Sequence, residues 1–326
     1  MEALRNITTQ DYEHLKQYFE LRNSECCENM IFDSYMWNQY YHLHYRELEK
    51  GLFWLYRHGL ECYSVTPLCR LEDMKEMVIQ MKEFFNRELQ RPLEMYAVDS
   101  QALQAMDLSR KEYEVRPVRG NFDYVYDAQK LRDLSGKKYH KKKNHLNAFL
   151  KEYMGRWEYR SLKPEQKEEI LTFLARWQED RWSKDIEKKP QEIEPKDETA
   201  NNSKVEPEGV DYEAKGIRYI LEECPMLEYE MGGIYIDGRM EAFSMGSYNA
   251  SEEMAYIHVE KANPNIRGCY PIINQQFIIH GFPQAKKVNR EDDLDLEGLR
   301  TAKESYHPIY LVEKYYVKQK NFLDSL

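Results

Sequence analysis

Residues 288–317 read VNREDDLDLEGLRTAKESYHPIYLVEKYYV, which predicts a strand, a helix over residues 297–305 and a returning strand over residues 309–317. Pro308 cannot continue the helix, so the chain must turn before the last strand. Charged side chains crowd this segment beyond what a packed core requires. Ligands often bind where a strand end meets a helix, so we expect a functional site here.

The order of elements around this segment occurs twice in the chain. The first half predicts a hairpin over residues 51–66, a helix over 74–89, a strand over 93–98, a helix over 101–107 and strands within 113–126. The second half predicts a hairpin over residues 233–248 with an Asp-Gly turn, a strand over 254–260, a helix over 269–280, a strand over 286–290 and the helix and strand quoted above. We therefore predict an α/β (α+β) fold built from a duplicated unit.

The middle of the chain predicts two helices and an insertion. Residues 138–153 and 164–182 have helical spacing, whereas residues 184–213 hold ten acids, five lysines and three prolines. That composition buries too little apolar surface to offset the entropy of ordering, so we expect a flexible surface insertion. A solvated loop is favoured over a functional lid. We divide the chain into domains 1–120 and 121–326, because a strand over residues 122–126 and these two helices would begin the second domain.

Composition indicates a globular protein of about two domains. The 326 residues are 42% hydrophobic and 13% aromatic, enough for substantial cores. The net charge of −10 disfavours nonspecific nucleic-acid binding by the whole surface. No stretch reaches the roughly 20 apolar residues that span a bilayer, and no signal peptide is predicted. Six cysteines without a CxxC pair indicate a reducing cytoplasm and no zinc site.

A basic run stands out against this acidic background. Its lysines are Lys137, Lys138, Lys141, Lys142 and Lys143. On a helix much of the set shares one broad face, where like charges repel unless an anion relieves them. The functional interpretation is a patch for nucleic-acid phosphates or an anionic lipid surface. The alternative is a solvated face that offsets the acidic insertion.

Two features of the second half are candidates for catalysis and anion binding. His258 and Glu260 lie two residues apart on a predicted strand, so we expect them on one face, where either can act as a general base. The alternative is a structural role. The loop over residues 262–268 leads into an apolar helix, and its last residues, Arg267 and Gly268, offer N–H groups to an anion. The alternative is an ordinary connection.

The quoted segment supplies the remaining candidates. Arg300 and Lys303 lie one turn apart on one helix face and suit a carboxylate or phosphate. Tyr306 follows them, and Asn289 and Glu291 lie at the strand end. We assign the other acids before the helix to its N-terminus and predict no metal site, because no His or Cys accompanies them.

As a set, these pieces resemble the family of phosphatidylglycerol lysyltransferase C-terminal domains. The similarity rests on Gly136-Lys-Lys138 with the basic helix, Arg267-Gly268-x-Tyr270, Asn289-Arg290-Glu291-x-Asp293 and Gly298-Leu-Arg-x-Ala-Lys-x-Ser-Tyr-x-Pro308. It covers the chain from about residue 121 onward, and the first half looks like a degenerate partner domain. The resemblance implies two tandem GNAT-like (acyl-CoA N-acyltransferase-like) domains, each a mixed sheet flanked by helices, as in the Fem-type aminoacyl transferases.

The resemblance also implies transfer of an acyl or aminoacyl group to an amine or hydroxyl, with the cleft in the second domain. Aminoacyl-tRNA would be the donor, held by the lysine helix, with Glu260 or His258 as the base. The substrate-binding residues would be Arg267, Gly268, Tyr270, Asn289, Glu291, Arg300, Lys303 and Tyr306.

Two alternatives remain beside that function. One is an acyl-CoA donor, although the Arg267-Gly268 loop departs from the usual pyrophosphate-binding pattern. The other is a non-catalytic binding protein on the same scaffold. The acceptor would be a small molecule or a lipid, and the lipid-modifying enzymes carry a membrane-embedded half that is not recognised in this sequence. We expect a cytoplasmic protein, or one peripheral to the membrane.

Overall fold

The computed structural model describes residues 4–187, 207–320 and 322. Its helices are α1 (Tyr12–Phe19), α2 (Ile31–Tyr41), α3 (Met74–Arg87), α4 (Ser100–Met106), α5 (Ala128–Asp133), α6 (His140–Glu152), α7 (Lys167–Glu187), α8 (Pro207–Glu223), α9 (Cys269–Gly281) and α10 (Glu297–Glu304). Its strands are β1 (Arg5–Asn6), β2 (His44–Leu48), β3 (Gly51–His58), β4 (Glu61–Tyr63), β5 (Leu68–Cys69), β6 (Glu94–Asp99), β7 (Tyr113–Pro117), β8 (Asp123–Asp127), β9 (Trp157–Ser161), β10 (Glu230–Ile236), β11 (Arg239–Asn249), β12 (Met254–Ala262), β13 (Lys287–Asn289), β14 (Tyr310–Val312) and β15 (Lys314–Gln319). The predicted α/β fold class is confirmed.

The second half of the chain, from residue 121 onward, contributes a seven-stranded sheet in the order β14-β8-β13-β12-β11-β10-β9. The β10–β11 hairpin turns at Asp237 and Gly238, whose φ angles of 50° and 80° match the predicted Asp-Gly turn. Helices α5, α6 and α9 cover one face of this sheet, where Phe149, Ile272 and Phe277 are buried. This core holds the helices against the strands that carry the candidate site.

The first half has two smaller sheets. One has the order β1-β2-β3-β4, with β5 also paired to β3, and the other has the order β6-β15-β7. A parallel bridge between Ser64 and Met95 links them. The methionine stripe of α3 is buried at Met74, Met77 and Met81, as predicted for a core helix.

Strands β8 and β15 hold equivalent places in two different sheets, and β15 of the second half lies in a sheet of the first half. Strand β8 lies between β13 and β14, and it follows β7 directly in the chain. Strand β15 lies between β6 and β7 in the same antiparallel arrangement, and it follows β14. The predicted single strand over residues 309–317 is therefore wrong, because the chain breaks at Glu313 and crosses to the other sheet. The division into domains 1–120 and 121–326 stays a proposal.

A third core lies between the halves. Tyr35 and Tyr45 from the first half pack in one buried cluster with Phe243 and Val259 of the second. Helix α8 joins this core through Ile220, and the sequence did not predict this helix. Of the predicted insertion over residues 184–213, the described ends belong to α7 and α8, which corrects that expectation there. Residues 188–206 lie outside the described residues.

No helix within the described parts of the chain combines the length and apolar character needed to cross a bilayer.

Candidate active site

The candidate site lies where β12 and β13 part. These parallel strands pair at three positions and then diverge. Two side-chain pairs bridge the gap: His258 Nδ1 lies 2.9 Å from Glu291 Oε1, and Arg290 Nη2 donates to Glu260 Oε1 at 2.8 Å. Four ionisable side chains thus meet where main-chain pairing has stopped.

A β-bulge places the two pairs on opposite faces of the sheet. The β11–β12 register skips His258, which adds one residue to β12 and shifts its side-chain alternation. His258 stacks on Phe32 of α2, with ring centroids 4.3 Å apart. Glu260 accepts a hydrogen bond from Asn274 of α9 at 3.0 Å. The prediction that His258 and Glu260 share a face is therefore wrong.

His258 is a neutral, buried imidazole. Burial lowers the pKa of His258 to about 3. Its Nε2 lies 2.7 Å from Ser247 Oγ, and its Nδ1 faces Glu291. A neutral imidazole held at both nitrogens by a hydroxyl and a carboxyl group can pass a proton between them.

The carboxyl groups of Asp33 and Glu291 lie beside this imidazole. Asp292 follows Glu291 in the chain, and we name these three residues the junction acids: Asp33, Glu291 and Asp292. Burial raises the pKa of all three, and the Glu291 charge raises that of Asp33 further. The side chains of Asp33 and Asp292 make no hydrogen bond or ion pair with any residue that the structure describes. The Glu291 side chain keeps 23% of its surface exposed, so the cluster is reachable from solvent.

Glu291 also has an unusual backbone. Its φ of 56° lies in the left-handed region, which costs a non-glycine residue of order 1 kcal/mol. Asn289 Oδ1 accepts from the Glu291 N–H at 2.7 Å and holds this conformation. The turn aims the carboxyl group at His258.

The nearby lysines are occupied by other partners. Lys314 Nζ lies 2.6 Å from Glu28 Oε2 and 2.7 Å from Asp123 Oδ1. Lys303 Nζ donates to the main-chain carbonyls of Arg290, at 2.6 Å, and Asp292. Within the described residues neither lysine forms an ion pair with a junction acid. A cationic group from outside the chain would therefore be stabilised there.

Among the residues that the structure describes, two groups bring metal-ligand atoms within 4.8 Å of one another: Cys26, Glu28 and Asp123, and Asp33, His258 and Glu291. In the first group the Lys314 ammonium already bonds both carboxylates and supplies the cation. The second group has the donor types of a divalent-cation site, although His258 Nδ1 is already bonded to Glu291.

The predicted anion clamp of Arg300 and Lys303 is not arranged around one free space. Arg300 is bidentate on Asp293, at 2.8 and 2.9 Å, and also bonds Asp295 at 2.6 Å. Lys303 faces the carbonyls described above. Asn289 Nδ2 donates to Asp123 Oδ2 at 3.0 Å. These side chains build the walls of the site, and their substrate-binding roles stay proposals.

The loop before α9 is shaped by packing. Gly268 has a φ of 84°, and a Cβ added there would lie 2.4 Å from the His145 carbonyl oxygen of α6. The glycine therefore lets α6 approach the loop. Arg267 and Tyr270 are exposed on either side of it.

The basic run divides into two kinds of lysine. Four are exposed, and we name them the basic face: Lys137, Lys138, Lys141 and Lys143. Lys142 is half-buried, with its Nζ 4.0 Å from the ring centroid of Tyr306. Burial, together with the nearby Arg290 charge, lowers the pKa of Lys142 to about 8. The prediction of one uniform lysine patch is corrected by this difference.

The sequence interpretation missed Asp33, Asp123 and Lys314. A lone acid or lysine within an apolar strand, as in FDYVY and EKYYV, is a signal for a buried ion pair, and it was available. Asp33 gave no such signal, because α2 was not predicted.

Comparison with protein families places residues 21–318 in the family described as phosphatidylglycerol lysyltransferase, C-terminal. This chain belongs to that family. The expected mixed α/β architecture agrees with the sheet order, in which β8 and β15 hold equivalent places.

Among solved structures, a conserved protein of unknown function from Bacteroides thetaiotaomicron matches with a TM-score of 0.81 and 26% identity, over 98% of this chain and 100% of the other. The C-terminal domain of a putative lysylphosphatidylglycerol synthetase from Agrobacterium fabrum matches at 0.62 and 15%, over 97% and 93%. L-PGS from Bacillus licheniformis matches at 0.63 and 14%, over 98% and 95%. The last two likenesses concern the fold alone. Comparison with curated proteins gave no match.

Proposed function

We propose that this protein transfers an aminoacyl or acyl group to an amine in the gap between β12 and β13. Family membership supports the transferase class. The observation that carries the proposal is the neutral His258 bonded to Glu291, beside junction acids that form no ion pair with a lysine or arginine of the described residues. A site of this kind attracts an ammonium group and can then remove its proton.

The chemistry needs that deprotonation. A lysine-type amine, with a pKa of about 10.4, is neutral in only about one molecule in 10³ at pH 7, a cost of about 4–5 kcal/mol. An ammonium bound beside the junction acids favours their charged forms, so Glu291 loses its own proton to solvent as the ligand enters. The Glu291 carboxylate, bonded to His258, then accepts the ammonium proton. The neutral amine then attacks the donor carbonyl, so that a C–N bond forms and the bond to the leaving group breaks. As the tetrahedral intermediate collapses, its nitrogen gives a second proton to the leaving-group oxygen, and the proton held by the His258–Glu291 pair is released to solvent.

Aminoacyl-tRNA is the proposed donor. The basic face lies on the helix side of the same sheet and suits nucleic-acid phosphates. An acyl-CoA donor is less favoured, because the space beside Gly268 is filled by α6 rather than open to a phosphate. The lipid-related names of the similar structures make a lipid acceptor the alternative to a small amine.

The test is transfer of a labelled acyl group. Purified protein is supplied with an aminoacyl-tRNA pool or with acyl-CoA, and with amines or anionic-lipid vesicles as acceptors. We expect amide formation from aminoacyl-tRNA that falls at least tenfold in Glu291→Gln and His258→Gln and is unchanged in the exposed control Glu297→Gln. A rate of amide formation that is the same in the wild type and in both site variants would contradict the proposal. The absence of amide formation with either donor would contradict it as well.

An aminoacyl donor carries an ammonium group of its own. An N-acetylated aminoacyl-tRNA separates the two possibilities. If the junction acids hold the acceptor, acetylation leaves the rate unchanged. A loss of rate with acetylated donor assigns the junction acids to the donor and overturns the acceptor assignment.

A further inference from the structure

Three buried polar atoms on the helix face of the gap lack a partner in the described parts of the chain: Arg290 Nη1, Tyr306 Oη and Asn274 Oδ1. Tyr306 is 3% exposed and Asn274 is 1% exposed. An unpaired buried polar group destabilises the fold, so three in one region call for a ligand or ordered water.

These atoms belong to one cluster. Glu260 accepts from Arg290 at 2.8 Å and from Asn274 at 3.0 Å. The Arg290 guanidinium lies 4.8 Å from the ring centroid of Tyr306, and Lys142 lies over the same ring. We call this set of five residues the α9 chamber.

The α9 chamber carries excess positive charge. Arg290 and Lys142 are cations, and Glu260 is the carboxylate that faces them. Both Glu260 oxygens are already engaged. Lys142 makes no ion pair with any described residue, and the Tyr306 ring is its near contact.

We propose that the α9 chamber binds an oxyanion, the carboxylate or phosphate group of a small ligand, between Arg290 and Lys142. Arg290 Nη1 and the Tyr306 hydroxyl donate to the anion, and Asn274 Oδ1 accepts from an N–H or O–H of the ligand. The flexible Lys142 side chain moves off the Tyr306 ring as the anion enters. The proposal does not depend on group transfer, because binding is measured without turnover.

The experiment titrates the whole protein with acetate or with inorganic phosphate against chloride at matched ionic strength. Two readouts are followed: the melting temperature, and the pKa of Lys142 measured by NMR of isotope-labelled methylated lysines. We expect a saturable rise of both with at least one anion, since an anion beside Lys142 favours its charged form. Saturation with acetate assigns a carboxylate ligand, and saturation with phosphate assigns a phosphate ligand.

Tyr306→Phe removes one unpaired hydroxyl and nothing else. Without bound anion, the Tyr306→Phe variant should be at least as stable as the wild type, because the hydroxyl has no partner among the described residues. The affinity of the variant for the anion should fall about tenfold or more. The matched control is Tyr126→Phe, whose hydroxyl donates to the Lys303 carbonyl at 2.9 Å; it should lose stability and keep anion affinity. Equal affinity in wild type and Tyr306→Phe, or no saturation with either anion, would overturn the proposal and leave the three atoms to water.

Discussion

Asp123 and Lys314 are the first residues of β8 and β15, which hold equivalent places in two sheets, and their side chains form a 2.7 Å ion pair with no solvent exposure. Asp123 Oδ2 also accepts from the Cys27 N–H at 2.8 Å and from Asn289 at 3.0 Å. Burial acts to lower the pKa of Lys314, but Asp123 and the other acidic neighbours raise it well above its usual value. One ionic contact therefore joins equivalent positions of the duplicated fold.

Asp123→Asn should destabilise the protein strongly. It leaves the Lys314 ammonium buried with a weaker set of acceptors, and breaking a buried pair in this way costs about 3–5 kcal/mol. Urea unfolding measures the loss. Asp107→Asn is the matched control, because its carboxylate is 75% exposed and pairs with a surface lysine, so we expect a change of about 1 kcal/mol or less.

The double variant Asp123→Asn with Lys314→Met should be more stable than Asp123→Asn alone. Removing the Lys314 ammonium abolishes a buried charge that has lost one of its two carboxylate partners and keeps only Glu28 among the described residues. Additive losses from the two substitutions would show that the pair is not coupled.

Glu291→Gln should change the pH dependence of stability. The usual glutamate pKa is about 4.3, and burial raises that of Glu291 to about 8. Between those values the unfolded chain loses the proton while the folded chain keeps it, so the wild type loses stability as pH rises through this window. Gln imitates the protonated acid. Relative to wild type, the variant should therefore gain stability from about pH 4 to about pH 8.

Unfolding by urea at a series of pH values measures that difference. The expected gain is of order a few kcal/mol across the window. A pH-independent difference between the two proteins would refute the raised pKa of Glu291. Glu297→Gln, on the first turn of α10 and exposed, should give parallel curves.

Gly268→Ala and Gly298→Ala should have opposite signs. At Gly268 the new Cβ meets the His145 carbonyl oxygen, and a φ of 84° strains any other residue, so we expect a loss of at least about 1–3 kcal/mol. At Gly298 a Cβ meets nothing within 4 Å and the position is helical, so alanine should stabilise by about 0.5–1 kcal/mol. Equal effects at the two positions would contradict the close approach of α6.

The fold was largely predictable from local pattern. The methionine stripe of α3 and the Asp-Gly turn each follow from residues that are neighbours in sequence. The crossing of β15 to the other sheet was not predictable, because β14 and β15 read as one apolar run and only the break at Glu313 separates them.

The site was less predictable than the fold. His258 and Glu291 were named as candidates, but the bulge that turns Glu260 to the other face depends on pairing with β11, which alternation along one strand does not encode. Asp33 reaches the site from α2, more than two hundred residues away in sequence. Such convergence depends on tertiary packing, so single-sequence patterns do not contain it.

Charge reversal on the basic face should weaken tRNA binding. Each phosphate contact that is lost makes the slope of log affinity against log salt concentration shallower by about 0.7–0.9. In the variant with Lys137, Lys138 and Lys141 all changed to Glu, the slope should therefore be shallower by about 2 to 3. Lys142→Met should leave the slope nearly unchanged, because that ammonium lies half-buried on Tyr306 rather than on the exposed face. Lys111→Glu, an exposed lysine of the first half, is the control. Filter binding across a salt series gives the slopes, and binding that is insensitive to salt, or equally weakened by Lys111→Glu, would remove the basic face from the proposed function.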